Sequence, residues 1–406
     1  MDMEKVRRFI VDNIDATTKS SNGNEEETLI PLPYSFTTPS VSGIFQEMYY
    51  WDTYFTQKAL FLTGREEQAE NNVRNLAYML EKFKKIPNGN RTWYLNNSQP
   101  PFFGWMLADM LEYYPNRISL SEAFSWLKSE YAFWMNTRKN PNGLNAYNID
   151  SGARADEGTI QWYKSRTGIL LEQTAENCRC IHAECESGWD FSPRFYNRCI
   201  YYNAIDLNCL LFLDEQLLGK WATALGQKAE GERYFQLAEK RKEKIRLYMK
   251  TNTGYFDYDY EKNTRSDVVS CAALFPYAVG LDDDTSSFLH TLSVLECANG
   301  LVACRHTGEN TYQWSEPNGW APLHYIAVKA ADKLGLKEEA KRIAEKYLNA
   351  QTNIFQKTGR LWEKYNAETG GLDVVSEYGT PELLGWSAGV YMAFLQYLET
   401  GYRKLI

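Results

Sequence analysis

Apolar residues in this chain of 406 residues recur at three- and four-residue intervals, and they seldom alternate. Ala69, Val73, Leu76, Leu80 and Phe83 share one face of a segment whose other positions are Glu, Asn, Arg and Lys. Ala340, Ile343, Ala344, Tyr347 and Leu348 repeat the pattern, as do Val390, Ala393, Phe394, Tyr397 and Leu398. This is the period of a helix with one buried face. Weaker stripes lie near residues 45–62, 102–113, 120–136, 203–225, 229–249, 283–297 and 319–334, which makes about a dozen helices. Convincing alternating strands are few. An all-α fold is expected, and a closed ring of paired helices is one economical way to bury so many one-sided stripes around a single core.

The segments between the stripes are rich in Gly, Pro, Asn, Trp and acidic residues, the composition of held rather than slack loops. They run through Pro87 to Pro101, Asn140 to Thr167, Glu184 to Arg194, Glu309 to Pro322 and Leu361 to Thr380. Thr17 to Glu27 reads as an exposed loop. No linker, charge run or repeat divides the chain, so 1–406 is expected to form one domain, with residues 1–40 a helix and loop packed on it. Aromatic residues make up 15%, which suits stacking on sugar rings and equally suits an aromatic core. A net charge of −8 without a basic block argues against a nucleic-acid partner. The first fifteen residues lack the apolar run of an export signal, and nowhere do 18 apolar residues run together, so no membrane association and a cytoplasmic location are expected. Cys178, Cys180 and Cys185 cluster, but no second cysteine or histidine pair completes a metal pattern. No metal and no cofactor are expected.

Cleaving an acetal needs one carboxyl that protonates the leaving oxygen and a second that attacks the sugar carbon or activates water. Asp190 sits between Trp189 and Phe191 in ESGWDFSPRF, where apolar walls would raise its pKa by desolvation. Capping a helix is the ordinary alternative for such an Asp. Glu363 in LWEKYN and Glu377 in VVSEYGTPELLGW are the other candidates. Glu363 beside Lys364 also fits a surface charge pair, and Glu377 beside Gly379 also fits a solvated turn.

Five segments, in order, resemble the trehalase family: IFQEMYYWDTYF (44–55), IPNGNRTWYLNNSQPPF (86–102), ESGWDFSPRF (186–195), QWSEPNGWAPLHY (313–325), and EKYN followed by SEYG and GW. The resemblance implies an (α/α)6 barrel with long catalytic loops on one face and inverting hydrolysis of α,α-trehalose, a small sugar substrate. It implies Asp190 as general acid, Glu363 as general base and Glu377 as a further active-site carboxylate. Phe45, Trp51, Asp52, Asn88, Gln99, Gly188, Gln313 and Trp314 would line the pocket, together with Trp189 beside the acid and, on a loose alignment, Arg154. Trp51 and Trp314 as core aromatics, and Asn88 as a turn residue, are the plain alternatives.

The departures bear on specificity. Family arginines are replaced by Ile44 and Asn97, the Asp after QW is Ser315, and GGLDVVS stands where the family has a Gly-rich run. Neither Ile nor Asn imitates the rigid donor fork of Arg, and a sugar hydroxyl left unpaired in a buried site costs about 1 to 3 kcal/mol. The readings to be separated are a trehalose-cleaving enzyme, an α-glucosidase of a related helical-barrel family acting on another substrate, and a catalytically silent sugar-binding protein.

Overall fold

The computed structural model describes residues 2–20, 28–306, 312–401 and 405. Residues 21–27 of the expected exposed loop and 309–311 of the expected loop before Pro322 lie outside them. Among the described residues the chain forms α1 (Met3–Asn13), α2 (Tyr50–Leu62), α3 (Glu66–Phe83), α4 (Phe103–Tyr113), α5 (Leu120–Thr137), α6 (Glu157–Thr167) and α7 (Ala175–Glu186). It continues with α8 (Ile205–Ala224), α9 (Lys228–Met249), α10 (Phe275–Ala278), α11 (Thr285–Leu295), α12 (Ala321–Lys333), α13 (Lys337–Thr358) and α14 (Gly385–Glu399).

Six of these close a ring: α2 packs on α4, α4 on α8, α8 on α10, α10 on α12, α12 on α14, and α14 again on α2. An outer layer covers them, with α3 on α2, α5 on α4, α9 on α8, α13 on α12 and α1 on α13. The sixth outer helix, α11, packs on the 3₁₀ turn Cys271–Leu274 that leads into α10. The architecture is the (α/α)6 barrel. The two layers differ in burial. Every α2 residue from Tyr50 to Phe61 is buried, whereas α13 buries one face built on Ala340, Ile343, Ala344, Tyr347, Leu348 and Ile354. A helix enclosed on all sides has no need of a polar face, which is why the stripes at 45–62, 203–225 and 319–334 are weak. Even the α14 stripe understates its burial, since Gly385 through Leu395 are all enclosed.

Inner helices hand over to outer ones through tight turns. Thr63–Arg65, Leu225–Gln227 and Leu334–Leu336 each centre on a glycine with φ between 72° and 82°, a left-handed conformation that only glycine adopts without strain. The return connections, 84–102, 138–204, 250–274, 296–320 and 359–384, are long. All of them enter the N-terminal ends of inner helices, so they gather at one mouth of the barrel.

The stretch 140–167, expected as a loop, ends in α6, and α7 follows it. Asp156 accepts from Thr159 N–H and Thr174 from Asn177 N–H, the side-chain caps that start helices. The hairpin stands outside the ring and has its own small core of Ile160, Tyr163, Cys178, Ile181, Phe191 and Tyr312. So few apolar positions make too short a stripe for periodicity to reveal. Strands are two- or three-residue pieces; the one nearest the mouth pairs Asn318–Trp320 antiparallel with Lys364–Asn366. No described helix is long and apolar enough to cross a membrane.

Candidate active site

The mouth loops enclose a cavity of about 190 Å³ that opens to solvent. Trp51 and Asp52 reach it from the first turn of α2. That helix start lacks a side-chain cap of its own, and Gln99 supplies one from another loop, its Oε1 accepting from Trp51 N–H at 3.0 Å. Phe45, Asn88, Gln99, Gly188, Asp190, Gln313, Trp314 and Glu363 line the same cavity. Asn88 donates to the Cys185 carbonyl at 3.3 Å, tying its loop to the end of α7. Gly188 has φ +73°, and a Cβ there would lie 3.0 Å from the Trp51 ring, so only glycine lets the acid-bearing loop close over that indole.

The indoles form one wall. Trp314 stacks on Trp320 with centroids 3.8 Å apart and planes 4° apart, and on its other flank meets Trp189 at 5.3 Å. Behind them, Arg194 sits 4.4 Å from the Trp189 ring and donates twice to Asp206 and twice to Asp257 at 2.9–3.1 Å. Asp257 also accepts from the N–H of Ile205 that opens α8. A second buried knot holds the opposite loops. Glu186 accepts from Arg138 twice at 2.8 Å and from the N–H groups of Ser98 and Asn148 at 2.7 Å. Ser98 adjoins Gln99, and Glu186 lies two residues before Gly188.

The carboxyl groups at this mouth differ in character. Burial pushes Asp190 up to about 7, with the Glu363 charge adding to the rise and its own backbone N–H opposing it. Asp52 is pushed up to about 8, first by burial and then by Glu363. Glu377 rises to about 9 through burial and the nearby Asp190; its Oε1 accepts from Phe191 N–H at 2.9 Å, which steadies the residue after Asp190. Glu363 is only 2% exposed and accepts on both oxygens, from Tyr378 O–H at 2.7 Å and Lys364 Nζ at 2.6 Å. Trp386 Nε1 donates to the Glu363 carbonyl at 3.0 Å, and Gln313 Nε2 to that of Asp190 at 2.8 Å. Carboxyls that burial raises toward neutrality therefore share the mouth with Glu363, which is held through both oxygens.

Several expectations require correction. Lys364 is no surface partner: both members of the Glu363–Lys364 pair are buried. Arg154 is exposed on the loop before α6 and does not line the cavity. Trp189 is fully buried behind Trp314 and also does not reach the cavity. Glu377 stands just outside the lining, against Phe191. Trp51 and Trp314, weighed as core aromatics, are both nearly fully buried and cavity-lining. Tyr49, Tyr94, Trp162, Tyr378 and Trp386 line the cavity without having been anticipated, and Arg166 bonds the Glu377 carbonyl at its edge. Trp162 and Arg166 belong to the unanticipated helix α6. Tyr378 and Trp386 flank the Glu377 motif, where aromatic neighbours were the available signal. Among the described residues no three His, Cys, Asp or Glu side chains converge as metal ligands.

Among solved structures the fold resembles the neutral trehalase Nth1 from Saccharomyces cerevisiae, with a TM-score of 0.79 at 24% identity over 98% of this chain and 80% of that one. It also resembles a GH63 mannosylglycerate hydrolase from Thermus thermophilus, with a TM-score of 0.62 at 15% identity, over 96% of this chain and 99% of that one. In sequence, the chain is 30% identical to the periplasmic trehalase of Salmonella schwarzengrund over 93% of its own length and 71% of the relative's. It is 31% identical to the periplasmic trehalase of Pseudomonas aeruginosa over 92% and 73%. These relatives overturn the expectation of a cytoplasmic location, because both are named for the periplasm; an apolar leader is a detachable address that a catalytic fold does not record. The family model for trehalase matches residues 4–399, and with the sequence relatives it shows that this chain is a glycoside hydrolase belonging to the trehalase family.

Proposed function

We propose that the chain hydrolyses an α-glucosidic bond by single displacement with inversion, with trehalose the first substrate to test, and that residues 1–406 act as one catalytic unit. The observation that carries the reading is the contrast between two carboxyls at one cavity: Asp190 raised to about 7 by burial, and Glu363 accepting hydrogen bonds on both oxygens. Asp190 gives its proton to the glycosidic oxygen as the C–O bond breaks. Glu363 takes a proton from a water whose oxygen bonds to the anomeric carbon from the opposite face. The two protons are then exchanged with solvent to restore the starting state. Asp52, as a neutral acid lining the cavity, both donates to and accepts from sugar hydroxyls, Glu377 steadies the residue after Asp190, and the indole wall packs beside the ring.

The test is hydrolysis of trehalose followed by proton NMR at early times. Inversion at one of two α-linked centres releases β-glucose and α-glucose in equal initial amounts, and release of the α-anomer alone refutes the mechanism. A second reading has its own support. Ile44 and Asn97 offer no guanidinium, and Arg154 is exposed outside the cavity lining, which favours an α-glucoside other than trehalose. A panel of α-linked disaccharides decides, since inert trehalose beside a cleaved panel member selects that reading. A silent binder would show no turnover in either the parent chain or Asp190→Asn.

A further inference from the structure

Arg166 lies on α6 four residues after the cavity-lining Trp162, and residues four apart share a helix face. Its Nη1 donates to the Glu377 carbonyl at 2.6 Å. The guanidinium carbon stands 5.4 Å from the centre of the Tyr378 ring, which itself lines the cavity. Among the described residues its Nε and Nη2 make no hydrogen bond and its charge no ion pair. The side chain is partly buried, and neither nitrogen is among the buried unpaired atoms. The Nε–Nη2 edge is therefore open to solvent; Arg166 itself does not line the cavity, but its charge acts on both Asp190 and Glu377. The other nearby cation, Lys364, is fully buried and committed to Glu363.

On the reading proposed above, the acid stands on the side of the departing group. Arg166 belongs to that side: it bonds Glu377, whose carboxyl bonds the N–H of Phe191 next to Asp190. A guanidinium edge with two parallel N–H groups matches two adjacent oxygens, a demand that a single ammonium does not meet. We infer that Arg166 grips the leaving group through two neighbouring oxygens of a departing sugar or polyol, supplying a guanidinium that Ile44, Asn97 and the exposed Arg154 do not. The arginine thus comes from the α6–α7 hairpin rather than from the positions where the family carries it. This makes it a specificity residue for the leaving group, distinct from the acid and base that act on the bond.

The test compares the full chain with Arg166→Gln and Arg166→Lys on two substrates: trehalose, or the best-cleaved panel α-glucoside if trehalose is inert, and α-glucosyl fluoride, whose leaving group offers the fork nothing. Loss of a charged hydrogen-bond pair predicts a fall in kcat/KM of about 10- to 100-fold on the disaccharide for both variants, against about threefold or less on the fluoride. Equal losses on the two substrates, no loss on either, or full rescue by lysine overturns the assignment; rescue would mean that charge alone acts. Calorimetry in the Asp190→Asn background keeps the test independent of turnover. There Arg166→Gln weakens disaccharide binding by a similar factor while glucose binding barely changes, and parallel weakening of both sugars again refutes the fork. A parent chain that hydrolyses the fluoride but no disaccharide sinks the proposed substrate, while the calorimetric comparison still decides the role of Arg166.

Discussion

Asp190→Asn should abolish turnover and yet stabilise the protein at neutral and alkaline pH. The carboxyl is moved from 3.8 to about 7, chiefly by burial, so its charged form is disfavoured in the folded state by up to about 4 kcal/mol. The side chain keeps some contact with solvent, and about 2 to 4 kcal/mol is the working range. The folded value lies above the unfolded one, so the folded chain holds the proton more tightly. No penalty exists below pH 4; it accrues between pH 4 and 7 and is complete above pH 8. Asparagine removes that charge, and no side-chain hydrogen bond of Asp190 to another described residue is lost. Calorimetric scans at pH 4, 6 and 8 should show the variant melting about 2 to 5 °C above the parent at pH 8, with the gap closing toward pH 4. In the parent, kcat/KM should fall as pH rises through about 7, because the acid loses the proton it must deliver. A variant less stable than the parent at pH 8, or a gap independent of pH, would refute desolvation as the source of the raised value.

Glu363→Gln should lower kcat by about 10²- to 10⁴-fold while sugar binding persists, read by turnover and calorimetry together. Arg138→Leu leaves Glu186 buried with only two backbone donors, a loss of about 3 to 5 kcal/mol that denaturant unfolding will measure. Gly188→Ala forces a side chain to a left-handed backbone position 3.0 Å from Trp51, costing about 1 to 3 kcal/mol. Its melting temperature and kcat/KM should fall together, with a change in tryptophan fluorescence.

Much of the fold can be read along the chain. The outer helices α3 and α13 announce themselves because one face of each meets solvent, and that contrast is written every three to four residues. Inner helices such as α2 are buried all round, so their stripe fades even though their existence is plain. The α6–α7 hairpin escapes because it covers a core of only a few residues. The site divides in the same way. Asp190 between two aromatic residues, and the Glu363 and Glu377 motifs, stand out locally. Arg154 is reached by alignment alone, whereas Arg166 sits in a segment with no motif to mark it.

Helical content, the candidate carboxyls and the indole-rich loops are legible in the sequence alone, because periodicity and neighbour identity act over a few residues. Which carboxyls burial raises toward neutrality, that Lys364 is buried with Glu363, and that Arg166 rather than Arg154 stands beside Glu377 were decided only by tertiary structure. Those properties are sums of desolvation and charge over groups such as Asp52, Asp190 and Glu363. Residues that far apart in the chain share an environment only once the ring has closed.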